Sequence, residues 1–289
     1  MGSAARYLFL LTVASALVGT PVIPGAWAKP APPAGPAEIP PPPLDLNQFS
    51  LRLSAMQTVY DLDLSAEQLK LFRQLAAGAG QAKERHEAKS TDALNAAMKD
   101  LYQAIAMRDV EKIRDLRAKV DELTEDDAVN FDDSVTATEA ARGKAAAAVK
   151  LLKASQIAAY LADHADEVAD PVEQMMATLA EITALDAEDV DTEIAGTAEQ
   201  VSRLVAGSDS AKARDVAGKV SAWLKVARSI QPEDLAAKRD AFEATAKKIV
   251  GDLSPVQVLS NWLEGEMAEL VSNPQLSSAI DTTLAGHRQ

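Results

Sequence analysis

The stretch LDLSAEQLKLF, residues 62–72, opens with a spacing that the chain uses three times. It returns as GDLSPVQVLSNW at 251–262 and, in a weaker form, as LLKASQIAAYL at 151–161. In each copy a leucine is followed four residues later by a glutamine and then by an aliphatic residue. The matching positions are Leu64, Ser65 and Gln68, then Leu253, Ser254 and Gln257, and finally Leu152 and Gln156.

The first two copies have the pattern of a helix start. With Ser65 as the N-cap, Gln68 falls at the third helical position, where its side chain can return a hydrogen bond to the cap. Leu64 and Leu69 then occupy the two positions of a hydrophobic staple. Ser254 and Gln257 repeat this arrangement at the second copy. The sequence therefore predicts that helices begin next to Ser65 and Ser254.

The third copy has a different context. Lys153 stands at the cap position, and lysine is a poor N-cap. The copy also lies inside the alanine-rich run 140–165, which we expect to be part of one helix from a capping box at Thr136 and Glu139 through residue 168. On a continuous helix Leu152 and Gln156 share a face. We therefore predict that Gln156 is buried and that its amide bonds to a neighbouring helix.

The remaining pattern predicts an all-α fold of helical hairpins or a bundle with long amphipathic helices. Beyond Leu44 every proline lies where a helix can begin, at Pro171, Pro232, Pro255 and Pro274. Apolar residues recur at helical spacing, for example at Val216, Val220, Trp223 and Leu224. No segment alternates as a strand would, so we expect helices from about residue 45 to about residue 285.

The helical body divides into an N-terminal segment, 45–168, and a C-terminal segment, 169–289. One continuous helical domain over 45–289 is the alternative. The acidic stretch 121–134 loses the helical period and is interpreted as the loop between the two halves of the body. The pair Arg108-Asp109 is compatible with a tight turn or with the interior of one long helix.

The N-terminus has the features of an export signal. Arg6 precedes the apolar run 7–18, which is short for a membrane span, and AWA at 26–28 matches a cleavage site. We expect residues 1–28 to be a signal peptide cleaved after Ala28, which makes the protein periplasmic or secreted. An uncleaved N-terminal anchor is the alternative. The proline-rich segment 29–44 is expected to form an extended linker.

Composition excludes several classes of protein. The chain of 289 residues carries a net charge of −14, and such an acidic chain repels nucleic acid. It contains no cysteine, so disulfides, thiolate metal sites and a lipid anchor on cysteine are excluded. His86, His164 and His287 are scattered and do not share a metal-ligand spacing. We expect no cofactor, no metal site and no catalytic residues, and the protein is predicted not to be an enzyme.

An exported, helical, cysteine-free chain with a repeated L-[ST]-x-x-Q pattern resembles the LTxxQ-motif periplasmic proteins, the Spy and CpxP class. In that family the motif opens helices of a small curved dimer. The resemblance implies a non-enzymatic protein of the cell envelope that acts as a chaperone or as an adaptor of envelope stress. Its partners would be proteins or unfolded clients, and homo-oligomers would be expected.

Two other functions fit the sequence. The first is a structural helical scaffold that assembles with copies of itself. The second is a metal-responsive sensor, for which the sequence offers no converging set of ligands. Suppression of client aggregation would favour the chaperone-like function, whereas a concentration-dependent mass without any client effect would favour the scaffold.

Overall fold

The structure is a computed structural model. It describes residues 40–41, 44–77, 88–125, 129, 135, 137–164, 168–182, 185, 187–230, 234 and 237–286. Within these ranges the fold is built of α-helices and contains no β-strand, so the all-α prediction is confirmed. The predicted signal peptide at 1–28 and most of the predicted linker at 29–44 lie outside the described residues.

Twelve helices are present in the described part of the chain. Their bounds are α1 Leu46–Asp61, α2 Ala66–Ala76, α3 Asp92–Ala106, α4 Val110–Thr124, α5 Glu139–Lys150, α6 Ala154–Asp163, α7 Pro171–Glu181, α8 Ala187–Ala206, α9 Ser210–Arg228, α10 Arg239–Val250, α11 Pro255–Ser272 and α12 Leu276–Gly286. Together they form one compact unit.

Most of these helices begin at a side chain that accepts a hydrogen bond from the first turn. Besides the two serines of the repeated pattern, the caps are Asp45, Thr91, Asp109, Thr138, Asp170 and Asp209. Each such cap stabilises its helix by about 1 kcal/mol. Pro171 is the first residue of α7, as predicted, because its fixed φ suits that position.

Three predicted helix starts differ from the structure or lie outside its described part. Thr136 is not among the described residues, and the cap of α5 is Thr138 instead. Pro232 also lies outside the described residues. Pro274 is not the first helical residue, because residues 274–275 form a turn before α12 begins at Leu276.

The structure settles one connection between helices that the sequence left ambiguous and corrects another that was predicted to begin too early. Arg108 has a left-handed backbone (φ 54°) and Asp109 caps α4, so this pair forms a turn between α3 and α4. The acidic stretch predicted as a loop from residue 121 is helical at its start, since α4 continues to Thr124. Asp121 and Glu122 are exposed near the end of α4, where loss of apolar periodicity does not end the helix.

The buried apolar side chains form two clusters. The first cluster joins α1–α6 with α11 and α12, and Leu62, Leu69 and Leu101 are fully buried within it. The second cluster lies among α7–α10 and is centred on Met175 and Val220. Burial of one such side chain stabilises the fold by about 1.5–3 kcal/mol. The last two helices of the chain thus contribute to the core of the first six, and α11 also packs on α8.

An internal repeat relates the two halves of the chain. Asp109, Lys112, Arg114, Asp115, Lys119 and Val120 recur one hundred positions later as Asp209, Lys212, Arg214, Asp215, Lys219 and Val220. The bounds of α5 and α10 also differ by one hundred residues, while the side chains that they bury, Ala141 and Ala145 against Phe242 and Ala246, differ by one hundred and one. The first repeat therefore comprises α2–α6 and the second comprises α7–α11. Helix pairing is also repeated, since α3 packs on α4 and α2 on α5, as α8 packs on α9 and α7 on α10.

Candidate functional site

The first copy of the repeated pattern forms the turn between α1 and α2. Asp63 adopts a left-handed conformation with φ 43°. The backbone N–H groups of Asp63 and Leu64 donate to the carbonyls of Tyr60 and Val59, at 2.9 and 3.5 Å. This is the Schellman arrangement that ends many helices. Because Leu62 and Leu64 are buried on either side of Asp63, the core fixes the position of the turn.

A complete capping box follows at the start of α2. The Ser65 Oγ accepts a hydrogen bond from the backbone N–H of Gln68 at 3.3 Å. In return, the Gln68 Oε1 accepts one from the backbone N–H of Ser65 at 2.9 Å. Leu64 and Leu69 are both buried at the two positions of the predicted staple. The local structure is the one that the spacing predicts.

The third copy also begins a helix, and the predicted continuous helix through residue 168 is wrong. α5 ends at Lys150, Lys153 is extended (φ −78°, ψ 152°), and α6 starts at Ala154 and ends at residue 163. Lysine has no acceptor atom, so only half of the capping box forms: Gln156 Oε1 accepts from the Lys153 N–H at 2.9 Å. The break was not predicted because the surrounding run is rich in alanine, which favours helix, and has no serine at the cap position.

The side-chain amides of Gln68 and Gln156 bond to each other. Gln68 Nε2 donates to Gln156 Oε1 at 2.8 Å, and Gln156 Nε2 donates to Gln68 Oε1 at 3.2 Å. Each of these oxygens also accepts from the first residue of its own helix start. The pair therefore links the N-terminus of α2 directly to the N-terminus of α6.

Each glutamine also caps the helix that ends in front of its partner. Gln68 Nε2 donates to the carbonyl of Leu151, the C-cap residue of α5, at 2.7 Å. Gln156 Nε2 donates to the carbonyls of Leu62 and Asp63, just beyond α1, at 2.9 and 2.8 Å. Carbonyls at the end of a helix lack an intrahelical partner. We call Leu62, Asp63, Gln68, Leu151 and Gln156 the glutamine junction.

The glutamine junction lies at the edge of the first core cluster. Gln68 is 7% exposed, whereas Gln156 is half-buried. The prediction of a buried Gln156 therefore overstated its burial, although its amide does bond to the neighbouring α2 and to the turn before it. The Gln156 amide stabilises the junction through these hydrogen bonds. Removing the amide would leave several polar groups of the junction without a partner.

Two arginines hold the same turn from its other side. Arg117 Nη2 binds both carboxylate oxygens of Asp61, at 2.8 and 3.0 Å. Arg108 Nη2 binds Asp63 Oδ1 at 2.5 Å. Both guanidinium groups lie over the Tyr60 ring, 5.9 and 5.8 Å from its centroid. Burial raises the pKa of Asp61 above its ordinary value, although the Arg117 charge opposes the shift.

The copy at the start of α11 has a local role only among the described residues. Ser254 Oγ accepts from the Gln257 N–H at 3.3 Å, and Gln257 Oε1 accepts from the Ser254 N–H at 2.9 Å. Both residues are exposed, while Val258 is buried at the staple position. Within the described ranges the Gln257 amide makes no hydrogen bond to another helix, in contrast to Gln68 and Gln156.

An ion-pair cluster ties α8 to α11 in the second repeat. Arg203 Nη2 contacts Glu266 Oε1 at 3.0 Å and Glu269 Oε1 at 2.7 Å. Burial raises the pKa of Glu269 to about 7, with the Arg203 charge opposing the shift and the Glu266 and Glu199 charges adding to it. The cluster is a helix contact whose charge depends on pH near neutrality.

His164 is the histidine that lies within the described ranges. His164 packs against Tyr160 and Trp262, with ring centroids 4.4 and 5.7 Å apart. His86 and His287 lie outside the described residues. In the described ranges no group of three or more histidine and carboxylate side chains is placed to hold a metal ion. The expectation that the protein binds no metal and no cofactor stays a prediction.

Sequence reasoning did not find Asp61, Arg108 and Arg117, which support the glutamine junction. No short motif marks them, because each acts across the fold rather than along the chain. The internal repeat was the signal that could have located the helix break before Gln156. Gln257 corresponds to Gln156 one hundred and one positions earlier, and Gln257 follows an evident helix start.

The comparisons with known proteins found no relative. No protein-family model matches the chain, and no curated protein or solved structure is significantly similar to it. Within the described ranges no helix combines the length and the apolar character needed to cross a membrane. The fold and the glutamine junction define an all-α protein built from two helical repeats.

Proposed function

We propose that this chain is an exported, non-enzymatic binding protein of the cell envelope, similar in design to the LTxxQ-motif proteins. It acts as a chaperone or as a stress adaptor and holds other proteins through apolar residues on its helices. The observation that carries this proposal is the reciprocal pair formed by Gln68 and Gln156.

The pair supports the resemblance because it gives the repeated spacing a role that a helix start alone does not require. A capping box uses only the glutamine oxygen. Here the amide nitrogens of Gln68 and Gln156 also close the ends of α1 and α5. The two copies therefore bring together the ends of α1 and α5 and the starts of α2 and α6. This contact between distant segments gives a reason for two copies of the pattern to occur in one repeat.

The charged clusters described above support a binding role rather than catalysis. The Asp61–Arg117 and Asp63–Arg108 pairs fix the turn before α2, and Arg203 with Glu269 joins α8 to α11. The first and third of these contacts join two helices, and the Asp63–Arg108 pair joins two turns. These side chains serve to hold helices together.

Apolar side chains on the surface supply candidate contacts for a client. Leu71 on α2, Val110 on α4, Val226 on α9 and Val256 on α11 are exposed to between 41% and 74%. Unfolded chains present apolar segments, and contact with these residues would remove apolar surface of both partners from water.

Aggregation of reduced α-lactalbumin, followed by light scattering, tests the client-binding part of the proposal. The chain should suppress aggregation at a low molar ratio, and the double variant Leu71→Ser, Val256→Ser should suppress it less. Lys70→Ser, an exposed change on the same helix as Leu71, is the matched control. No suppression at any ratio, combined with a mass that rises with concentration, would replace the proposal with a self-assembling scaffold.

Export is tested separately by N-terminal sequencing of the protein recovered from the periplasm or the medium of an expressing bacterium. The proposal expects the mature chain to begin at Lys29. Retention of Met1 in the membrane fraction would instead favour an N-terminal anchor.

A further inference from the structure

A pocket of about 490 Å³ opens between α9 and α10 in the second repeat. Its wall is formed mainly by Trp223, Val226, Phe242 and Ile249, and the pocket lies on the opposite repeat from the glutamine junction. A pocket of this volume falls within the range that holds small organic ligands.

The wall of the pocket is apolar and aromatic. Trp223 and Phe242 meet edge to face, with ring centroids 5.5 Å apart. Val226 beside them is 57% exposed, so apolar surface faces solvent at this position. Such a wall favours an alkyl chain or another apolar body, because binding removes both surfaces from water.

Two lysines give the pocket a preference for an anion. The exposed side chains of Lys219 and Lys238 line it. Lys219 contacts the carboxylate of Asp215 at 2.6 Å, so a ligand anion would compete with one exposed ion pair. A carboxylate is therefore the ligand end that these two ammonium groups favour.

The internal repeat shows that this chemistry is particular to the second repeat. Trp223 stands where the first repeat has Leu123, by the same step of one hundred residues that relates Lys219 to Lys119. Phe242 stands where the first repeat has Ala141, by the step that relates Gln257 to Gln156. Both substitutions add an aromatic ring at the α9–α10 contact. The two aromatic residues therefore distinguish the second repeat at the place where the pocket lies.

We propose that this pocket binds a carboxylate with an apolar chain, such as a fatty acid. The chain lies along Trp223 and Phe242, and the carboxylate is held by Lys219 and Lys238. This inference does not rest on client binding or on the glutamine junction, and Val226 is the one residue that it shares with the candidate client contacts.

Isothermal titration of the purified chain with decanoic acid, below its micellar concentration, tests the proposal. Decanol and decyltrimethylammonium carry chains of the same length with a neutral or a positive end. We expect decanoate to bind with one-to-one stoichiometry and about tenfold or more tighter than either, because charge-assisted hydrogen bonds are involved.

Variants separate the contributions of the head and the chain. Lys219→Met and Lys238→Met together should weaken decanoate by about tenfold or more while leaving decanol unchanged. Val226→Ser, an exposed change on the pocket wall, should weaken decanoate and decanol alike, by about threefold or more. Val256→Ser, on another exposed valine, is the matched control and should have no effect. The proposal is overturned if decanoate does not bind, if the three probes bind equally, or if the lysine and Val226 variants bind as the unmodified chain does.

Discussion

The fifth helix of each repeat begins with the same spacing, but its glutamine does different work in the two repeats. Gln156 at the start of α6 bonds to Gln68 and to carbonyls at the end of α1. Gln257 at the start of α11 bonds within its own capping box. The two glutamines stand in the same sequence pattern, a leucine four residues before and an aliphatic residue directly after. Their different hydrogen bonds therefore depend on the part of the fold that each glutamine faces.

Other residues join the helices in the second repeat. Gln174 lies near the start of α7 and bonds to Gln200 on α8. Asn261, one turn beyond Gln257, donates to the carbonyls of Leu204 and Val205 at the end of α8, at 2.9 and 3.0 Å. The glutamine spacing thus specifies a helix start. The glutamine gains a tertiary role only where a turn with unpaired carbonyl groups lies opposite it.

The largest effect is expected from breaking the glutamine junction. Gln156→Ala and Gln68→Ala should each lower the free energy of unfolding by about 1–3 kcal/mol, towards the upper end, because several groups lose partners at once. Urea unfolding followed by circular dichroism gives these values. If Gln156→Ala lowered the free energy of unfolding by only a few tenths of a kcal/mol, water would be replacing its hydrogen bonds at no cost. The resemblance to LTxxQ proteins would then lose its support.

A second difference between the repeats is sensitivity to pH. The folded pKa of Glu269 is about 7, above its ordinary value of 4.5, so the folded chain holds this proton more tightly than the unfolded chain does. The stabilisation is complete below about pH 4.5 and is lost as the pH rises to about 7, with an expected change of about 1–2 kcal/mol.

Unfolding at a series of pH values, with Glu269→Gln beside the unmodified chain, measures this effect. In the variant the free energy of unfolding should depend less on pH between pH 5 and pH 7. About half or more of the 1–2 kcal/mol change should disappear. Glu181→Gln, an exposed change on α7, is the control and should keep the slope. Equal slopes in all three chains would show that Glu269 does not carry the dependence.

The serine caps should not distinguish the two repeats, because both boxes are complete. Ser65→Ala and Ser254→Ala should each cost about 1 kcal/mol, the usual contribution of an N-cap. Thermal unfolding of the two variants under one condition makes the comparison. A loss at Ser65 that far exceeds the loss at Ser254 would show that the cap and the glutamine junction cannot be separated.

The smallest effect is expected at Gln257. Its side chain is exposed and, within the described ranges, bonds only to Ser254, so Gln257→Ala should change stability by less than about 0.5 kcal/mol. The same unfolding assay applies. A cost as large as that of Gln156→Ala would indicate a partner for Gln257 beyond its own helix start.

The fold class and two of the three helix starts were predictable from the sequence. Capping and staple positions around Ser65 and Ser254 are local, so the spacing of a few residues determines them. The stripe through Val216, Val220 and Leu224 likewise predicted the buried face of α9. Such features depend on neighbours in sequence and can be derived without the fold.

The pairing of Gln68 with Gln156 could not be derived in the same way. It requires the α1–α2 turn to face the α5–α6 turn, and the sequence separates these turns by about ninety residues. The break at Lys153 was missed because helix propensity favours continuation through alanine and lysine. The Gln68 amide caps the end of α5 at Leu151, and only the comparison with Gln257 in the internal repeat signals the break.

The central claim is that Gln68 and Gln156 act as one unit, and a double-mutant cycle tests it most directly. Free energies of unfolding are measured for the unmodified chain, Gln68→Ala, Gln156→Ala and the double variant, with Gln68 and Gln257 as the control pair. The account predicts a coupling of about 1 kcal/mol or more for the first pair and additivity within about 0.5 kcal/mol for the control. Additive losses at Gln68 and Gln156 would contradict it.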